Sequence, residues 1–235
     1  MSQNFSEPYR SPRTLSLLAI GFLAALLAID ALFVILSGGQ LLFPFDLDLD
    51  GEPMPFWILP IGLLSILEFV VFIGCVVFFL LWLYRCYKNL AALKSGSPEY
   101  TPGWAIGWWF IPFANLIKPL GVVRDLWNES DPDFDPELNF LSNSVGTPAL
   151  LGWWWVFWLL SNFSANITGR LSDVESAEGL RTLSIALIIA SLFGIVAAAL
   201  AILVVKNITK RQEARFSRMG DIQPQFAPPP PPQFG

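Results

Sequence analysis

The chain contains no histidine. That excludes imidazole acid–base catalysis, histidine-based nucleophile triads and every metal centre built on imidazole. Its two cysteines, Cys75 and Cys86, lie on one predicted helix, about 16 Å apart at 1.5 Å per residue. They are too distant to bond to each other and too few for a four-thiolate zinc site. Charge is scarce as well: 14% of residues are charged, against about 25% in an ordinary soluble domain. No Gly-x-Ser-x-Gly elbow, Ser-x-x-Lys pair or Gly-x-Gly-Asp element occurs. The expectation is a chain that is not an enzyme and that holds no cofactor or metal. The basic residues form no patch interleaved with aromatics, so nucleic acid is not an expected partner.

What is present is apolar. Of 235 residues, 54% are hydrophobic and ten are tryptophan, and the mean hydropathy is +0.55. Four runs stand out, at about 14–37, 56–84, 148–168 and 182–205. The first is too long for the apolar core of a signal peptide and lacks a cleavage site, so it reads as an uncleaved helix. Gly38, Gly39, Pro44, Pro53 and Pro55 mark a turn-rich loop after it. The second run, about 43 Å as a helix, exceeds what a bilayer core needs, so it tilts or projects inward. It closes on Trp82-Leu-Tyr84-Arg85, an aromatic and basic interfacial anchor. The third, least hydrophobic run opens with Trp153, Trp154, Trp155 and Trp158 and ends with Ser161, Asn162, Ser164 and Asn166. The expected fold is all-α: a four-transmembrane-helix bundle.

Lys and Arg set its orientation. Twelve lie at 10, 13, 85, 88, 94, 118, 124, 206, 210, 211, 215 and 218, in segments on one side of the four runs; two, Arg170 and Arg181, lie on the other. By the positive-inside rule both termini face the cytoplasm. The chain then divides into a cytoplasmic N-terminus at 1–13, a polytopic membrane domain at 14–206 and a cytoplasmic tail at 207–235, basic and then Pro-rich.

Between the second and third runs lies a Trp-rich element at 101–128, expected to be interfacial or re-entrant on the cytoplasmic side. Pro112 and Pro119 divide it. Phe113, Leu116, Ile117, Leu120, Val123 and Trp127 recur at three- and four-residue spacing and predict one apolar helical face. The strings W-L-Y-R-C-Y-K-N-L from Trp82 and T-P-G-W-A-I-G-W-W-F-I-P-F-A-N-L-I-K-P-L-G-V-V-R-D-L-W from Thr101, then G-W-W-W from Gly152 and R-Q-E-A-R from Arg211, resemble the bacterial membrane-protein family called domain of unknown function 4328. The matching positions are Trp82, Arg85, Asn89, Pro102, Trp104, Trp109, Pro112, Asn115, Pro119, Asp125, Trp127, Trp153, Trp154 and Gln212. Where that family often carries Glu, this chain has Asp125. The resemblance implies a four-helix protein of the bacterial inner membrane and implies no activity.

Two candidate sites follow. The interfacial one comprises Arg85, Asn89, Trp104, Trp108, Trp109, Pro112, Asn115, Lys118, Arg124, Asp125 and Trp127. It reads either as an anchor sealing the cytoplasmic end or as a lid whose Lys118 and Arg124 hold an anionic lipid or small anion. The intramembrane one comprises Asp30, Glu68, Asn162 and Asn166. A carboxylate at a helix centre costs about 2.5–3.5 kcal/mol on insertion scales, so such residues face a bundle interior or cavity. Asp30 on an outward helix and Glu68 on an inward one reach one level in the outer half, with Ser161 to Asn166, Ser184 and Ser191. They read as protonated carboxyls bonded to Asn and Ser, as a proton- or cation-responsive site, or as a substrate pocket. Ala186, Ala190, Gly194 and Ala198 give the last helix a small-residue face for bundle packing or self-association. Asp46, Asp48, Asp50 and Gly51 imitate the start of an EF-hand loop, but Trp57 stands at its twelfth position, which favours a solvated acidic loop. Membrane lipids are the expected partners, with a second copy or another membrane protein possible. The leading reading is a non-enzymatic scaffold or regulatory component. A small proton- or cation-responsive transporter and, more remotely, an intramembrane enzyme are the alternatives.

Overall fold

The computed structural model describes residues 8–42, 58–95, 98–133, 148–171 and 177–222. The acidic loop at 46–51 and the Pro-rich tail lie outside the described residues. Six α-helices occur among those described: α1 Arg13–Leu42, α2 Ile58–Ala92, α3 Pro102–Gly107, α4 Lys118–Glu129, α5 Ala149–Thr168 and α6 Ala177–Ile222. Two 3-10 turns, Trp108–Phe110 and Ala114–Leu116, join α3 to α4, and no strand occurs among the described residues. Among the described residues, three helices are long and apolar enough to cross a membrane: α1, α2 and α6. The fourth expected span, α5, has 20 residues, but its polar second half keeps it out of that set.

The helices run past the predicted bounds for physical reasons. Helix α1 continues through Gly38 and Gly39 to Leu42, where a loop was expected. The Ser184 hydroxyl donates to Gln40 at 3.1 Å and ties down that added turn. Helix α6, with 46 residues, is about 69 Å long, twice a bilayer core and more. Hydropathy marks where an apolar helix stops being apolar. It does not mark where the helix stops, and Lys, Arg, Gln and Glu are good helix formers.

The chain forms two compact units. The first takes in 14–82 and 148–206. Its core includes Ala19, Leu23, Ile29, Phe33, Trp154, Ala197 and Ala201. The Phe22 ring packs 5.1 Å from Phe78 and lies against Gly74, where a methyl group would collide with it. Phe79, Trp82, Trp154, Trp155 and Trp158 make a chain of ring contacts.

The second unit takes in 1–13, 83–147 and 207–235. Leu83, Leu90, Leu93, Val122, Val123, Leu126 and Ile208 are its fully buried centre. Helix α2 ends there in a Schellman motif: the Ser95 amide donates to Leu90 and the Lys94 amide to Ala91. Lys94 takes the left-handed position, with φ 48°. The buried line of α4 is Pro119, Val122, Val123, Leu126 and Glu129. This corrects the predicted apolar face. Phe113, Leu116 and Ile117 precede α4 and are exposed, so they share no helical face with Leu120, Val123 and Trp127. Pro119 sits in the first turn of α4, where its missing N–H costs nothing, and that placement sets the helix start after the turns.

Candidate functional site

The interfacial candidates separate into a buried polar network and an exposed aromatic ridge, both within the second unit. The network is built on two amides. Asn89 Nδ2 donates to the Arg10 carbonyl at 2.9 Å and to Gln212 Oε1 at 3.2 Å, and Asn89 Oδ1 accepts from the Arg10 amide at 3.2 Å. Gln212 Nε2 donates to the Cys86 carbonyl at 2.9 Å and to Ser130 Oγ at 3.1 Å. Gln212 is 0% and Asn89 3% exposed. Both side chains use both of their N–H groups and their oxygen, so burial leaves no polar atom of either amide unpaired. Tyr9 stacks on Phe216 at 4.1 Å beside this network, and Ser11 donates to Glu213 at 2.9 Å.

One turn further along α6, Arg215 is buried and donates to four carbonyl oxygens: Leu93 at 3.1 Å, Lys94 at 3.3 Å, Glu129 at 2.8 Å and Asp131 at 3.2 Å. Those carbonyls lie at the C-terminal ends of α2 and α4, where backbone oxygens lack intrahelical donors and the helix dipole is negative. A single guanidinium thus staples two helix ends. Arg211 pairs with Asp131 at 2.5 Å and lies 4.7 Å over the Trp127 ring. Arg218 pairs with Asp133.

Asp125 faces inward. The Tyr87 hydroxyl lies 2.6 Å from Asp125 Oδ2 and 3.0 Å from the Val122 carbonyl. The Glu99 amide donates to the same carboxylate oxygen at 3.0 Å. Burial pushes the Asp125 carboxyl above the usual aspartate range; the bonds from Tyr87, Glu99 and Tyr100 pull it back, and the charge of Glu99 raises it. This cluster fastens the 98–100 segment to α2 and α4.

The exposed ridge begins with α3. Thr101 Oγ1 caps α3 by accepting from the Trp104 amide at 3.3 Å, with Pro102 in the first turn. Trp104 packs 4.8 Å from Trp108. The Lys118 ammonium lies 5.4 Å from the Trp108 ring and 5.8 Å from Tyr100. At Pro112–Phe113–Ala114 the Ala114 amide donates back to Pro112 at 2.8 Å, and Phe113 takes φ 65°, ψ −43°. That is a γ-turn of the rare, strained kind. It projects the Phe113 ring, 84% exposed; Ile117 is 74%, Phe110 68% and Trp104 52% exposed. The α3, 3-10 and α4 pieces pack on one another beneath. Trp109 and Asn115 are half-buried and Pro112 is exposed. Asn115 Oδ1 and Trp108 Nε1 are shielded from solvent without a hydrogen-bond partner. Arg85 is half-buried on α2 and Arg124 is exposed on α4.

In the first unit, Asp30 accepts a hydrogen bond from Ser191 and lies within electrostatic reach of Glu68. Its carboxylate rests against Gly194, where a Cβ would meet Oδ2 at 2.6 Å. Asn162 and Asn166 do not join them. Both are exposed on α5 and donate back to their own helix, to the Trp158 and Asn162 carbonyls at 2.8 and 2.9 Å. A short amide finds the carbonyl one turn back without any partner helix, which spacing alone does not reveal. Among the described residues no cluster of three or more Cys, Asp or Glu forms a metal site.

Residues 60–210, more than half the chain, match the family described as Domain of unknown function (DUF4328). The chain belongs to that family. No curated protein and no solved structure matches it. Of the positions that carried the resemblance, Asn89, Gln212, Asp125 and Trp127 hold the second unit together, and Trp104 and Pro112 lie on its ridge. Tyr87, Gln212 and Arg215 were not singled out as site residues, although all three lie in the quoted strings W-L-Y-R-C-Y-K-N-L and R-Q-E-A-R. The signal was there; their partners, far off in sequence, were not.

Proposed function

We propose that this protein is a non-enzymatic scaffold or regulatory component of a bacterial cytoplasmic membrane, crossing it four times, with both termini inside. It acts through contacts of its exposed ridge with the membrane interface. As a fourth crossing α5 is about 30 Å long, enough for a bilayer core. The breaks between the two units, at 13/14, 82/83, 147/148 and 206/207, fall at or within two residues of the expected membrane boundaries, which supports the topology drawn from Lys and Arg.

The observation that carries the reading is the ridge itself. Phe110, Phe113 and Ile117 are large, apolar and exposed, yet they stand on a base fixed by the Asn89–Gln212, Arg215 and Tyr87–Asp125 contacts. A fixed base bearing exposed, wholly apolar side chains suits a membrane interface, where those side chains leave water for the acyl boundary. The test is a Phe113→Cys variant carrying an environment-sensitive fluorophore in proteoliposomes; native Cys75 and Cys86 are buried. Blue-shifted emission quenched by acyl-chain nitroxides is expected. Water-like, unquenched emission overturns the interfacial seat.

The grouping of Asp30, Glu68 and Ser191 supports a second reading, a proton- or cation-responsive protein. Its test is labelling by a hydrophobic carbodiimide across a cation series. Labelling of Asp30 or Glu68 that one cation suppresses would favour ion response, and indifference to cations would remove it.

A further inference from the structure

We propose that the ridge seats in an anionic phospholipid leaflet, with Lys118 and Arg124 as its headgroup-binding charges. This rests on the interfacial reading above and names the lipid.

The basic residues of the second unit divide into charge already used and charge left over. On α6, Arg211 is paired with Asp131 and Arg218 with Asp133, while Arg215 is consumed by four backbone carbonyls. Those cations hold the second unit together and are not available to a lipid. On α4, Lys118 and Arg124 have no carboxylate partner among the described residues. Lys118 directly follows Ile117 of the ridge. Its ammonium rests over the Trp108 and Tyr100 rings, which attract a cation without neutralising it. The four-carbon stem lets it swing to a phosphate while its methylenes stay on the rings. Arg124 is exposed, on the side of α4 away from its buried line. The neighbouring acids are engaged: Asp125 is bound by Tyr87 and the Glu99 amide, and Glu99 accepts the Tyr100 hydroxyl. A free phosphate would satisfy either cation but leave Phe110, Phe113 and Ile117 in water. A zwitterionic surface would cover those rings but offer no net charge. An anionic leaflet does both.

The full-length protein, labelled at Phe113→Cys, is reconstituted into phosphatidylcholine alone and into phosphatidylcholine containing phosphatidylglycerol. The inserted-to-retracted ratio is read from nitroxide quenching. The ratio is expected to rise with phosphatidylglycerol by about fivefold for each of the two cations, and high salt should reverse the rise. Lys118→Gln and Arg124→Gln should each lose about fivefold of that increment, read as the ratio of the phosphatidylglycerol signal to the phosphatidylcholine signal of the same variant. An unreactive Cys86 thiol confirms that each variant is folded. Equal insertion in both lipids, or a full increment in the double variant, overturns the lipid proposal and leaves the interfacial reading standing. No insertion in either lipid overturns both.

Discussion

The Tyr87 hydroxyl reaches Asp125 across 2.6 Å, joining residues 38 positions apart. The carboxylate it meets is half-buried and already bound by the Glu99 amide. Tyr87→Phe leaves that charge short of a donor. A loss of about 1.5–3 kcal/mol is expected, the range for a hydrogen bond to a charged group. The pH dependence has a definite sign. A carboxyl whose folded pKa is raised favours the folded state at low pH and loses that contribution as pH climbs through the folded pKa. Removing Tyr87 takes away a bond that lowers this pKa, so the variant's folded pKa is higher still. The difference in melting temperature between wild type and variant should be largest at neutral pH and shrink towards pH about 4. A pH-independent difference would show that Asp125 is not the group involved.

Arg215→Lys should unfold the second unit more readily than its conserved charge suggests. An ammonium has three donors on a point; the guanidinium reaches four carbonyls at two helix ends through a flat fork. A loss of about 3 kcal/mol is expected, since helix-end oxygens are left without donors. In a Cys75→Ala background the fully buried Cys86 serves as reporter. Its thiol should react with a maleimide dye at a lower temperature in the variant.

Gly194→Ala places a methyl group 2.6 Å from Asp30 Oδ2. The carboxylate must move, and the bond from Ser191 goes with it. Destabilisation of about 1–3 kcal/mol is expected. Adding Asp30→Ala should recover most of it, because the clashing group is gone. Additive losses in the double variant would contradict the contact.

Phe113→Gly separates strain from insertion. Glycine tolerates φ 65°, so the folded unit should gain about 1 kcal/mol. The ridge loses its most exposed ring, worth about 1.5–3 kcal/mol when buried in hydrocarbon. A fluorophore at Ile117→Cys should therefore report at least about tenfold less insertion in a better-folded protein.

Local sequence pattern is enough to make the described residues helical and to gather the apolar runs and the tryptophans where they lie. Periodicity, hydropathy and proline placement are local properties, and local properties decide helices. It also brought Asp30 and Glu68 near one level, since rise per residue turns position along a helix into depth. Helix ends escaped it at Leu42 and Ile222, because an apolar run can end inside a helix that hydrogen bonds continue to support.

Which side chains meet is settled by packing between helices. Asn89 and Gln212 are 123 positions apart, and Arg215 closes two helix ends from a third helix. Neither contact has a period or a spacing to read. The same holds for what fails to meet: Asn162 and Asn166 share a helix and have the right polarity, yet each bonds to its own helix. On the ridge, the pattern Phe113, Leu116, Ile117, Leu120 looked helical by count. A γ-turn at Phe113 and a helix start at Lys118 turned its first members outward, because backbone dihedrals, not intervals, aim a side chain.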